Sequence, residues 1–175
     1  KPRADARPFA YQVFLEPTQS RWLYALDTPT DFSPKIEMLR DFRLLSHEPV
    51  RSVFRYRVET NPAVVLDREL PGWLRRRELA LPEGENPRIR SYATSLRSAH
   101  DNTRDMVVAM MRELQEGFAY TLQPPTLPSR DAIDALWFDT RAGFCSHFAG
   151  AMVFTLRAAG IPARMVGGYQ GGEVN

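Results

Sequence analysis

The sequence predicts an α+β protein in two parts, a β-rich N-terminal subdomain over residues 1–70 and a mainly helical region over residues 71–175. Three observations carry this. Residues 9–15 and 51–60 alternate apolar and polar with period two. Near Asn86 and Pro87 the period lengthens to that of a helix. A long apolar run then begins at Cys145 and ends at Gly160 and Pro162. Alternation suits an antiparallel sheet with one wet face, whereas a helix apolar nearly all round belongs in the centre of a domain.

In order along the chain, "FAYQVFL" places Phe9, Tyr11, Val13 and Leu15 on one face, and "EPTQS" supplies turn residues before "RWLYALD". "KIEMLRDFRLL" reads as one or two further strands, and "RSVFRYRVET" places Phe54, Tyr56, Val58 and Thr60 opposite Val53, Arg55 and Arg57. Asn86 as cap with Pro87 in the first turn opens a helix carrying Ile89, Tyr92, Ala93 and Leu96. A second helix starts near Asp101 or Asn102, turns Val107, Met110, Met111 and Leu114 inward, and stops at Gly117. Pro124, Pro125 and Pro128 exclude helix from "YTLQPPTLPS". Ser129 is the expected cap of a short helix facing Ile133, Leu136 and Trp137 to the core. In the next helix Cys145, Ala149, Met152, Leu156 and Ala159 share a stripe, and "ARMVGGY" beyond it reads as the start of a strand.

The totals exclude several classes. With 43% hydrophobic and 25% charged residues the composition is that of a globular chain long enough for its own core. A formal net charge of +2 gives no electrostatic case for a nucleic-acid partner, and the run Arg75, Arg76, Arg77 lacks interleaved aromatics, so it reads as a solvated face. No apolar stretch is long enough to span a bilayer, and "KPRADARPFA" has no signal-peptide apolar region, so any membrane association is expected through segments outside this chain. One cysteine allows neither an internal disulfide nor a CxxC metal site; no metal and no cofactor are expected.

A lone thiol is most often a small buried side chain. Cys145, however, falls in the first turn of its helix, where unpaired N–H groups and the positive end of the helix dipole favour thiolate, the nucleophilic form. Gly143 is expected to allow a sharp turn and leave room for a substrate backbone, and the N–H of Cys145 to face an oxyanion. His147 lies about 200° around the helix from Cys145, so it is not the base for the thiol. His47 and His100 sit in segments with no constellation around them and read as surface or capping residues.

The block "AGFCSHFAGAMVFTLRAAGIPARMVGGY" resembles the core of the transglutaminase-like superfamily. The matching residues are Gly143, Cys145, Phe148, Ala149, Leu156, Arg157, Ala158, Gly160, Ile161, Pro162, Ala163, Arg164, Val166, Gly168 and Tyr169. "GFAYTL", the proline loop and "IDALWFDTRAGFC" are similar to the approach to the cysteine in bacterial members, and the front with "WLYALD" to the extracytoplasmic region of membrane-anchored ones. The resemblance implies a papain-like/transglutaminase core with Cys145 as nucleophile at the head of a central helix, ending before the core sheet is complete. It also implies a triad histidine and aspartate beyond Asn175, so that the 175 residues alone are expected to be inactive. Some members use an aromatic or amide side chain as a second oxyanion donor, and Trp137 is the nearest candidate. Arg164 and Tyr169 are expected to hold the helix against the following strand. The implied chemistry is acyl transfer through a thioester at Cys145 on carboxamide or peptide substrates, of transglutaminase, deamidase or peptidase type, acting on protein or cell-wall peptide at a periplasmic or other extracytoplasmic site. The competing readings are a non-catalytic interaction module presenting the N-terminal strands, and a papain-like protease, which would share the cysteine-headed helix but not "GIPAR".

Overall fold

The alternation of residues 9–15 and 54–60 becomes an antiparallel pair. In the computed structural model, which describes residues 7–64, 69–168 and 171, β1 (Phe9–Leu15) pairs with β6 (Phe54–Thr60) in the register Phe9–Thr60 through Leu15–Phe54. β3 (Pro29–Phe32) joins the other side of β6, giving the order β1-β6-β3. A second antiparallel sheet runs β2-β5-β4, from Trp22–Leu23, Leu44–Ser46 and Ile36–Met38. The "KIEMLRDFRLL" segment thus yields two strands, as expected. β3 had no counterpart among the expected strands, because it opens on Pro29 and reads PTDF without apolar alternation; its pairing comes from β6.

Tyr56 and Val58 lie at the bottom of this unit's core with Leu15, Leu23, Ile36, Leu44 and Val50. Tyr56 is 1% exposed, and its hydroxyl donates to the Tyr24 carbonyl at 2.7 Å and accepts from the Tyr24 N–H at 3.0 Å. Burial pushes its pKa up to about 12.

The chain divides between Glu69 and Leu70, and the second unit is helical. α1 (Gly72–Leu79) was hidden in the sequence by Arg75, Arg76 and Arg77, which are exposed; only Leu74 and Glu78, one turn apart, are buried. α2 (Pro87–Ala99) buries Ile89, Ala93 and Leu96, and α3 (Thr103–Gly117) buries Met106 and Met110. Met111, expected inside, is 41% exposed, and Met106 fills the inward position instead. α4 makes one α-turn at Ala132–Asp134 and continues in the wider π geometry over Ala135–Thr140, burying Leu136 and Trp137. α5 (Cys145–Ala158) buries Ala151, Phe154 and Thr155. That face is rotated from the expected stripe: Cys145 is exposed, and Ala149, Met152, Leu156 and Ala159 are half-buried.

The helix starts depart from expectation in an informative way. Asn86 occupies the N-cap position of α2 in a left-handed conformation (φ 55°), and its side chain makes no bond to α2. Its Oδ1 accepts instead from the N–H groups of Ile133 (2.9 Å) and Asp134 (3.1 Å), at the start of α4. Asp134 returns the favour, accepting from the N–H groups of Arg88 (2.9 Å) and Ile89 (2.8 Å) at the start of α2. Asp131, not Ser129, holds the N-cap position of α4, and its Oδ1 accepts the Asn86 N–H at 2.6 Å. Two helices therefore satisfy each other's orphan donors across 45–48 residues of sequence.

α5 ends as its sequence dictates. Gly160 takes φ +77°, its N–H donates to the Arg157 carbonyl at 3.0 Å, and that of Ile161 to the Leu156 carbonyl at 2.9 Å, a Schellman ending. Residues 161–168 contain no strand, contrary to the reading of "ARMVGGY". The Ala163 N–H goes to the Glu78 carbonyl rather than to a strand partner (3.1 Å). Tyr169 lies outside the described residues. A tie between α5 and the segment that follows it is made by Arg157. Its guanidinium reaches the carboxylate of buried Glu78 (3.0 Å) and the carbonyls of Ala80 (3.0 Å) and Ala163 (2.7 Å).

Replacing Asp134 by Ala should cost roughly 2–3 kcal/mol, because two enclosed N–H groups lose a charged acceptor; urea unfolding will show it, and an unchanged midpoint would refute the reciprocal cap. Tyr56 gives a second test. Its folded pKa of about 12 lies above the ordinary 10, so its contribution is whole below pH 10 and is lost as pH rises towards 12. The loss across that window should be about 2–3 kcal/mol at full ionisation of the unfolded chain, and Tyr56→Phe should flatten that part of the stability profile.

Candidate active site

Cys145 is the first residue of α5, directly after β8 (Ala142–Gly143) and the N-cap residue Phe144. β8 runs parallel to β7 (Ala119–Tyr120), with Tyr120 beside Gly143 and the Thr121 N–H donating to the Gly143 carbonyl at 2.8 Å. This short pairing anchors the chain immediately before the thiol. The thiol is exposed, and its sulfur makes no hydrogen bond to a described residue.

Phe144 cannot cap a helix with its side chain. The N–H groups of His147 and Phe148 turn back to the Phe144 carbonyl at 2.9 and 3.3 Å, while those of Cys145 and Ser146 have no acceptor among the described residues. An exposed sulfur thus stands beside two unclaimed donors at the positive end of a 14-residue helix.

Gly143 has a packing role that the sequence did not indicate. Its φ is not left-handed, and a Cβ there would lie 3.0 Å from the His147 Cβ, 3.2 Å from its Cγ and 3.4 Å from Cε1 of Phe148. The first turn of α5 itself, folded back on Gly143, fills the room a side chain would need.

Trp137 is fully buried, and its Nε1–H donates to Glu113 Oε1 at 3.1 Å, which leaves it no donor for an oxyanion. Glu113 was not singled out by the sequence, although a carboxylate three residues after Met110 on an inward helix face is a detectable signal. Its second oxygen accepts from the Tyr92 hydroxyl at 2.6 Å, and Arg141 Nη2 approaches Oε1 at 3.9 Å. Burial, then the bond to Glu113, holds the Tyr92 hydroxyl well above its ordinary pKa, so it remains a donor. Behind α5 the rings follow in sequence: Trp137 against Phe118 (5.1 Å between centroids), Phe118 against Phe148 (5.8 Å), and Phe148 against exposed Tyr120 (6.4 Å). Of the two site residues the sequence nominated, Cys145 stands at the open helix mouth and Trp137 in the wall behind. No group of three or more His, Cys, Asp or Glu gathers as a metal site among the described residues.

Comparison with known proteins agrees with this architecture. Residues 90–175 match the family model of the transglutaminase-like superfamily, and residues 1–67 that of the TgpA N-terminal domain. Residues 90–175 belong to the transglutaminase-like superfamily, and the fold is the α+β, papain-like one the sequence implied. It is 44% identical over 166 residues to a protein-glutamine gamma-glutamyltransferase of Pseudomonas aeruginosa, covering 94% of this chain and 25% of that protein. It is also 41% identical over 100 residues to the Bacillus subtilis protein YebA, covering 55% of this chain and 14% of the relative. The crystal structure of the periplasmic domain of TgpA from Pseudomonas aeruginosa superposes with a TM-score of 0.91 at 42% identity, over 99% of this chain and 60% of that one. The same domain bound to ethylmercury gives 0.90 at 43% identity, over 97% and 61%. The chain therefore spans a quarter of the curated Pseudomonas relative and about three fifths of the solved domain.

Gly143→Ala should lower stability. Stiffening the unfolded chain is worth only about 0.4–1 kcal/mol, whereas overpacking against His147 costs about 1–3 kcal/mol, so a net loss is expected in urea unfolding.

Proposed function

We propose that the protein containing this chain is a cysteine-dependent acyltransferase or hydrolase of transglutaminase type, with Cys145 as nucleophile. The observation that carries this is the exposed sulfur at the first position of α5, beside the unclaimed N–H groups of Cys145 and Ser146. The sulfur attacks a carboxamide carbon such as that of a glutamine side chain. The C–N bond breaks, ammonia leaves with a proton delivered by a general acid, and a thioester remains; an amine resolves it to an isopeptide, or water to a carboxylic acid. The N–H donors and the helix dipole match the negative charge that develops on the carbonyl oxygen. The name of the Pseudomonas relative supports glutamine as acyl donor.

The substrate proposed is a protein or cell-wall peptide, met outside the cytoplasm. The solved relatives are periplasmic domains, and no helix among the described residues is long and apolar enough to cross a membrane, so anchoring would come from other segments. The thiol makes no hydrogen bond to a histidine or a carboxylate among the described residues. The proton-handling partners are accordingly assigned to segments other than those described.

In the longer protein, Cys145→Ala should reduce incorporation of a fluorescent amine into a glutamine peptide at least about a thousandfold; transfer that survives the substitution would end this reading. Ethylmercury, which bonds thiolates, should bind at Cys145 and block transfer in parallel. The 175 residues alone should bind ethylmercury yet show no transfer.

A further inference from the structure

The residue at the third helical position of α5 has chemistry that the proposed reaction does not use. A Phe at the N-cap supplies no acceptor, and Ser, Thr, Asp or Asn would be usual there. The cap comes from within the helix instead: Nδ1 of His147 accepts the Phe144 N–H at 3.4 Å, a long bond, and the imidazole stands edge-on to the Phe144 ring with centroids 4.2 Å apart and planes at 88°. The same residue packs against Gly143, whose missing Cβ would lie 3.0 Å from the His147 Cβ. Because Nδ1 accepts, the ring carries its proton on Nε2. His147 thus grips both residues that lead into Cys145, while its own place on the helix turns it away from the sulfur.

We propose that His147 is a positioning residue for the thiol: its acceptor nitrogen and its ring fix the Gly143–Phe144 approach, and so hold Cys145 in the first turn with its N–H and that of Ser146 open. A side chain at the third position reaching back to the N-cap N–H is half of a capping box, a role that Glu or Gln ordinarily fills. Here the imidazole adds a face that packs on Phe144, which a carboxylate or carboxamide matches less fully. A carboxylate there would also place negative charge in the same first turn as the sulfur and oppose its ionisation. A neutral acceptor caps the helix without that opposition.

This inference rests on Cys145 being the reacting group, but it is tested on the thiol and not on turnover. The rate of Cys145 alkylation by iodoacetamide at neutral pH is measured in the unmodified chain and in His147→Gln, His147→Phe and His147→Ala, with circular dichroism and thermal unfolding alongside. His147→Gln keeps a neutral acceptor and should stay within about twofold of the parent rate, whereas His147→Phe keeps the packing without the acceptor and should fall about three- to tenfold while remaining folded. His147→Ala, if folded, should fall at least as far. A folded His147→Phe that alkylates at the parent rate overturns the proposal, as does a folded His147→Gln that falls with it. Amine transfer that persists in Cys145→Ala would sink the enzymatic reading instead, leaving the alkylation series intact.

Discussion

Every helix begins with backbone N–H groups that have no acceptor inside the helix, and in the second unit of this protein the helices meet that need in different ways. α2 and α4 obtain theirs from each other, through buried Asn86 and Asp134. α3 obtains one from its own N-cap, Asn102, whose Oδ1 accepts the Asp105 N–H at 3.0 Å. α5 begins after a phenylalanine, is capped from within by His147, and among the described residues leaves two donors without an acceptor next to the cysteine. α1, after Pro71, also starts without a side-chain cap, so what sets α5 apart is the cysteine that stands at its open start.

The surroundings of α5 make that open end stiff. At its far end Arg157 binds the Glu78 carboxylate, and the Schellman turn at Gly160 completes the helix. Glu78 is only 6% exposed, and its buried carboxylate is shared by two guanidinium groups, Arg157 at 3.0 Å and Arg77 at 2.8 Å. Behind the first turn, Glu113 collects the Trp137 N–H and the Tyr92 hydroxyl, which fixes the aromatic wall on which Phe148 rests. A short parallel pairing of Tyr120 with Gly143 ties the residues entering the helix to the chain before α4.

What the sequence disclosed follows the range of each interaction. Strands β1 and β6 were legible because burial against one core imposes alternation on each separately. The cysteine's place at a helix start was legible because the apolar run, Gly160 and Pro162 bound that helix locally. Strand β3 was not, since Pro29 to Phe32 carries no pattern of its own and borrows its conformation from β6. Nor was α1, whose inward face amounts to Leu74 and Glu78 among three arginines. Asn86 was correctly placed at a helix start but its partner was not, because it caps a helix 47 residues away. Trp137 was read as core-facing, and only the resemblance nominated its N–H as an oxyanion donor; its partner Glu113, 24 residues distant, is a fact of tertiary packing.

The central claim is that the sulfur at the head of α5 carries the acyl group between donor and acceptor. Acid-quenching the longer protein during turnover of a glutamine peptide, then digesting with trypsin, isolates the segment Ala142–Arg157 that contains Cys145. Mass spectrometry of that segment should reveal the acyl donor attached with the loss of one ammonia, sensitive to hydroxylamine as a thioester is. Steady transfer to the amine with this segment unmodified at every quench time, and the adduct found elsewhere in the protein, would contradict it.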